Sequence, residues 1–165
     1  EGFDCAHNLV YWNFGDYLGI GAGAHGKLSG VRADGGITVL RSTQPREPRR
    51  YQRDPQGALL WNEVDEDQRP FEFMLNALRL TAGFEIEIFE RRTGVSWDAV
   101  TPVVERLLDR GLLSRAGSAP SGRGRILATP VGFQFLNEVL LEFLPEEAPK
   151  SMHSEQKTPA NSQIT

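Results

Sequence analysis

SWDAVTPVVERLLDRGLLSRA, residues 96–116, decides the architecture of the second half of this chain. Val100, Val103, Val104, Leu107 and Leu108 recur at three- and four-residue intervals, which puts them on one side of a helix. Ser96 is placed to cap its first turn, and Gly111 to end it in the left-handed conformation that other residues resist. Two short β segments follow, LLSRA at 112–116 and RILAT at 125–129, joined by a loop of Gly, Ser, Ala and Pro. Thr129 then caps a last helix, with Pro130 in its first turn and Phe133, Leu136, Val139, Leu140 and Phe143 as its predicted buried face. Two more helices lie upstream, one carrying Phe71, Met74, Leu75 and Leu78, the other over 85–93 and stopped by Gly94. Helix, helix, helix, strand, wing, strand, helix is winged-helix order, and it predicts an α-rich domain over 65–144.

The first half has a different period. KLSGVR (27–32) and ITVLRS (37–42) flank ADGG, whose Asp34-Gly35 supplies the positive φ of a tight turn, so a β-hairpin is expected. Tyr17 to Ala22 is small and apolar and predicts a buried strand running into a Gly23–Gly26 loop. Residues 43–64, rich in proline and arginine, read as a connector with one short helical turn near Ala58 to Trp61. Beyond Leu144 there is almost nothing apolar to bury, so 145–165 is expected to be disordered. The expected class is therefore α+β. The apolar runs fall far short of the roughly 18 residues a membrane span needs, and the start has no basic-then-apolar leader; a cytoplasmic location is expected. The chain opens at Glu1 and is already apolar in FDCAHNLVYW, as expected for the back part of a longer protein. Cys5 is the sole cysteine, which excludes an internal disulfide and a cluster held by this chain's thiolates alone. The net charge of −4 gives no general attraction to nucleic acid or acidic lipid.

Residues 7–26, HNLVYWNFGDYLGIGAGAHG, combine imidazole, aromatic faces and bare backbone. A neutral imidazole can ligate heme iron, and Tyr or Trp gives a macrocycle flat apolar surface, so His7 with Tyr11 and Trp12 is a candidate heme contact. Cys5 is a less favoured thiolate ligand. The alternative is a histidine satisfied by neighbouring backbone, beside aromatics that close the end of a sheet. GIGAGAHG is not a dinucleotide fingerprint, because position 24 is alanine and no amphipathic helix follows. Its Gly19, Gly21 and Gly23 do permit a ligand to approach backbone N–H and C=O groups, and His25 either points into that space or sits in water. Arg41, Arg46, Arg49, Arg50 and Arg53 either meet carboxylates such as heme propionates or form a solvated run. A winged-helix DNA-binding module is disfavoured by charge: from Trp97 to Arg110, Asp98, Glu105 and Asp109 outnumber Arg106 and Arg110, so no nucleic-acid partner is expected. There is no nucleophile elbow, no GxxxxGK loop and no HExxH.

HNLVYWNFGDYLGIGAGAHGKLS, the Arg41, Pro48, Tyr51 spacing in RSTQPREPRRY, RPFEFMLNALRL, RRTG and GFQFLNEVLLEFL together resemble the C-terminal part of the oxygen-independent coproporphyrinogen III oxidase family of radical SAM proteins. The likeness runs from about Phe3 to Leu144. His7, Asn8, Tyr11 and Trp12 match the HNxxYW pattern of the family's HemW-type heme chaperone branch, and GAHG with His25 points the same way. The resemblance implies that 1–42 is the last part of a radical SAM (β/α) barrel region plus its hairpin, that 43–64 connects, and that 65–144 is a winged-helix-like domain. It implies transient heme binding, with His7 as axial-ligand candidate, Asn8, Tyr11 and Trp12 around the ring, and delivery to respiratory hemoproteins that could draw the protein to a membrane. Gly19, Gly21, Gly23 and His25 would line the barrel mouth. A [4Fe–4S] cluster and S-adenosylmethionine are implied for the full-length protein, yet the CxxxCxxC motif is missing here, so no cluster and no catalysis are expected of this chain alone. The oxidase branch, which decarboxylates coproporphyrinogen III in porphyrin biosynthesis, is the alternative function.

Overall fold

Strands in the first half and helices in the second share one hydrophobic core in the computed structural model, which describes residues 6–56, 59–117 and 124–145 and, of Ala6 and His7, the backbone. Helix α1 (Ala6–Trp12) comes first. Strands β1 (His25–Val31) and β2 (Ile37–Thr43) pair antiparallel, Val31 opposite Ile37, and Gly35 takes φ +85° in the turn, as Asp34-Gly35 requires. Connector residues form α2 (Pro48–Arg53), begun by proline, and then a strand, β3 (Leu60–Glu63), on the free side of β2. This strand takes the place of the expected helical turn at Leu60 and Trp61, while Ala58 lies outside the described residues. All four of its residues are exposed, so no alternation marks it in the sequence, and pairing with Leu40 to Thr43 is what extends it.

The buried strand expected over Tyr17 to Ala22 does not form. Tyr17 alone bridges to Lys27, while Leu18 and Ile20 are 67% and 86% exposed. Gly19 packs its Cα on the backbone of His25 and Gly21 takes φ +114°, a course that leads the segment away from a ladder.

Helices α3 (Arg69–Ala77), α4 (Ile86–Thr93) and α5 (Thr101–Asp109) lie where the apolar stripes put them, with the two-residue strand β4 (Phe84–Glu85) before α4. The buried side of α3 is Phe73, Met74, Ala77 and Leu78; Phe71 and Leu75 of the expected stripe flank it half-buried. Gly94 ends α4 at φ +72°. Ser96 accepts from the Asp98 N–H, but the segment it caps opens as a 3-10 turn, Trp97–Ala99, before α5. Strands β5 (Leu113–Ala116) and β6 (Arg125–Ala128) pair antiparallel, and β4 joins the other edge of β6. The last helix is two pieces, α6 (Pro130–Gln134) and α7 (Leu136–Leu141), broken at Phe135. The break corrects one core assignment: Phe133 is 51% exposed, whereas Leu136, Val139, Leu140 and Phe143 are buried. Most of the loop between β5 and β6, and the tail after Pro145, lie outside the described residues.

Phe73 centres the core, with Phe14, Phe84 and Phe89 edge-on at 5.6, 5.0 and 5.2 Å, and Trp97 closes the cluster against Phe89 at 5.3 Å. Arg69, 3% exposed, fastens the strands to the helices by donating to the carbonyls of Val64, Ile37 and Thr93. The architecture is mixed α and β with small antiparallel sheets.

Candidate ligand cleft beside helix α1

Helix α1 turns about 100° per residue, so positions 9, 12 and 13 share one side and positions 7 and 11 the other. Leu9, Trp12 and Asn13 form one wall of a cleft of about 470 Å³. The Leu80–Gly83 loop, Arg79, Arg125 and Phe133 complete it. A second groove of about 530 Å³ shares Leu80, Thr81 and Phe133 and continues over Leu127 and Pro130. Each falls within the ~300–1,000 Å³ typical of small-molecule sites. Arg79 donates through Nε to the Leu75 carbonyl at 3.0 Å, and Arg125 through Nη2 to the Gly83 carbonyl at 3.2 Å. Arg125 Nε is buried with no hydrogen-bond partner among the described residues. No carboxylate is among the residues lining either groove. Apolar walls, aromatic faces and two guanidiniums without ion pairs among the described residues suit a flat apolar molecule that carries acid groups.

The fold divides the HNxxYW residues. Trp12 stands in the cleft, while the Tyr11 ring lies 4.2 Å from that of Tyr17. Asn8 is exposed. His7 belongs to the first turn of α1, on the Tyr11 side by register; its side chain, like Cys5, lies outside the described residues. Gly19, Gly21, Gly23 and His25 are not among the residues lining the cleft. The close approach Gly19 permits is chain on chain, since an added Cβ would lie 2.3 Å from the His25 carbonyl oxygen. His25 is exposed, its Nδ1 3.3 Å from Thr43 Oγ1. Arg41 is committed to Glu72 and the Tyr17 hydroxyl, whereas Arg46, Arg49, Arg50 and Arg53 are exposed. Arg106 and Arg110 both pair with Glu142, which they hold below the usual carboxylate range.

Sequence reading missed Arg79, Leu80 and Lys27. Lys27 is 1% exposed, and its ammonium donates to the Phe14 carbonyl (3.0 Å), Asp16 Oδ1 (3.0 Å) and Ser29 Oγ (2.8 Å) while lying 4.1 Å from the Phe14 ring centre. Burial lowers its pKa, against the opposing pull of Asp16. Burial also works to raise the Asp16 carboxyl, but hydrogen bonds from Lys27 and from Ser29, with the Lys27 charge, outweigh it and hold the group below its ordinary value. This knot ties the chain just after α1 to strand β1. Phe14 sits there at φ +52°, a strained conformation for a bulky residue, held by its buried ring.

No group of three His, Cys, Asp or Glu side chains placed to hold a metal occurs among the described residues, and one cysteine cannot furnish a cluster's thiolates; the donor set of this chain does not fit a [4Fe–4S] group. No helix among the described residues is long and apolar enough to cross a membrane.

Residues 64–127 match the HemN C-terminal domain. The chain is 38% identical over 148 residues to the heme chaperone HemW of Haemophilus influenzae and 37% over 147 residues to that of Escherichia coli, in each case 88% of this chain and 35% of the relative. It is 32% identical over 142 residues to the Bacillus subtilis heme chaperone HemW, covering 84% of this chain and 36% of that one. The chain thus spans about a third of the length of these curated relatives. No solved structure matches it.

Proposed function

Because the chain belongs to the HemW-type radical SAM family, whose C-terminal part it represents, we propose that it serves a heme chaperone by holding heme for transfer to acceptor hemoproteins of respiration. The observation that carries this reading is Trp12, a residue of the HNxxYW pattern, standing in an apolar cleft beside two guanidiniums that no carboxylate neutralises among the described residues. Trp12 and Phe133 offer ring faces to the macrocycle. On the same reading, residues 1–42 end the barrel region and 65–144 form the winged-helix-like domain that carries the other half of the cleft. The full-length protein holds its cluster and S-adenosylmethionine through residues that this chain lacks, and acts in the cytoplasm, reaching membranes through its acceptors. Asn8, Tyr11, Cys5, Gly19, Gly21, Gly23 and His25 remain candidates for the edge of the site.

His7 is the axial-ligand candidate. By register His7 lies on the other side of α1 from Trp12, so iron ligation and ring packing are separable by mutation. In a Soret titration of the full-length protein, His7→Ala should shift the band and Trp12→Ala should weaken binding several-fold with the band in place. If neither variant changes band or affinity, heme is not held at α1. Anaerobic decarboxylation of coproporphyrinogen without heme binding would make the oxidase the correct reading.

A further inference from the structure

We propose that Arg79 and Arg125 are binding residues for the two propionates of heme, so that this cleft selects the tetrapyrrole by its carboxylates more than by its iron; the inference rests on the heme reading above. The sequence keeps these arginines 46 positions apart, and the fold brings them to one cleft, Arg79 just after α3 and Arg125 at the start of β6. Several arginines elsewhere pair with carboxylates, Arg41 with Glu72, Arg32 with Glu63, Arg106 and Arg110 with Glu142, Arg115 with Glu105, and Arg46, Arg49, Arg50 and Arg53 stand exposed on the surface; what sets Arg79 and Arg125 apart is their place in an apolar cleft. Arg79 and Arg125 have no such partner among the described residues, and each uses only part of its donor set on backbone carbonyls. Arg125 also keeps a buried Nε–H without an acceptor among the described residues, so the protein leaves part of its donor set unused.

The rest of the cleft identifies what carries the carboxylates. Trp12, Leu80 and Phe133 are apolar, and the continuation over Leu127 and Pro130 lengthens the floor, so the occupant is broad and apolar and also carries acid groups. A small soluble dicarboxylate gains little from those walls. Guanidinium forks grip carboxylates by two parallel hydrogen bonds and let go when a better-matched acceptor competes, which suits cargo that must be released.

The test compares hemin with its dimethyl ester, in which the acid groups are capped and the ring and iron unchanged, on the full-length protein. Wild type should bind hemin at least tenfold more tightly than the ester. Arg79→Gln with Arg125→Gln should lower hemin affinity to the level of the ester and leave ester affinity as it was, and Arg125→Lys should restore part of the loss. Equal binding of hemin and ester by wild type overturns the proposal while leaving the heme reading in place. Equal loss of both ligands in the double variant overturns it too, since the arginines would then only shape the fold. No binding of either ligand by wild type removes both readings.

Discussion

Replacing Lys27 by methionine deletes the ammonium and keeps most of the buried stem, which isolates the polar knot after α1. The side chain is 1% exposed and satisfies three acceptors, of which the Phe14 carbonyl is the one water cannot replace. An orphaned buried carbonyl costs about 1–3 kcal/mol, and the cation over the Phe14 ring adds about 1–2 kcal/mol when desolvated. Asp16, 36% exposed, rehydrates and keeps its bond to Ser29, so its share is small. Relief of the ammonium's own burial, which lowers its pKa, works the other way. The net expectation is a loss of about 2–3 kcal/mol, or about 5–10 °C in Tm for a chain of this size. Equilibrium urea unfolding of wild type and variant, with equal m, measures it. A variant as stable as wild type, or more stable, refutes the reasoning and shows that desolvation of Lys27 outweighs everything it holds, as happens when some buried ion pairs are replaced by apolar groups.

Stability should fall in acid partly through Asp16. Its folded pKa lies below its unfolded value, so the pair contributes fully above about pH 3.9 and is lost as pH drops through the folded pKa, because the unfolded chain takes the proton first; Asp16→Asn should flatten that part of a pH-dependent unfolding curve. Gly132→Ala should destabilise by about 3 kcal/mol or more, since the new Cβ would lie 1.8 Å from the Leu112 carbonyl oxygen and backbone stands on both sides of the clash; thermal melts read this directly.

The helices of the second half were legible because burial is one-sided: Val100, Val104 and Leu107 face the core at helical spacing, and Gly94 and Gly111 mark the ends. The hairpin was legible because Asp34-Gly35 has few other uses. Strand β3 was not, since pairing alone defines it and neither side of Leu60–Glu63 is buried. Tyr17 to Ala22 misled for the converse reason: its residues are apolar, but the glycines bend the backbone before it can pair. The break at Phe135 separates the exposed Phe133 from the buried Leu136, Val139 and Leu140, and Gly132 just before it packs on the Leu112 backbone, a contact between residues 20 apart. For the cleft, sequence pattern could single out Trp12, but Arg79, Arg125 and Phe133 converge through topology and share no local motif.

Helix α1 ties the knot to the cleft. Seven residues are too few for a helix to persist in water unaided. It is held at its end by Gly15 N–H donating to the Val10 carbonyl, by the buried ring of Phe14 and by Lys27 on the Phe14 carbonyl. Trp12 therefore stands on a wall whose order depends on a buried ammonium 15 residues away in sequence. If that wall loosens, heme must order it on binding, and the ordering free energy is subtracted from affinity. Lys27→Met consequently has a second readout: at a temperature where the variant is still folded, its heme affinity should fall although Lys27 does not line the cleft. Unchanged affinity would mean that α1 is set by its own contacts with α3 and that the knot serves stability alone.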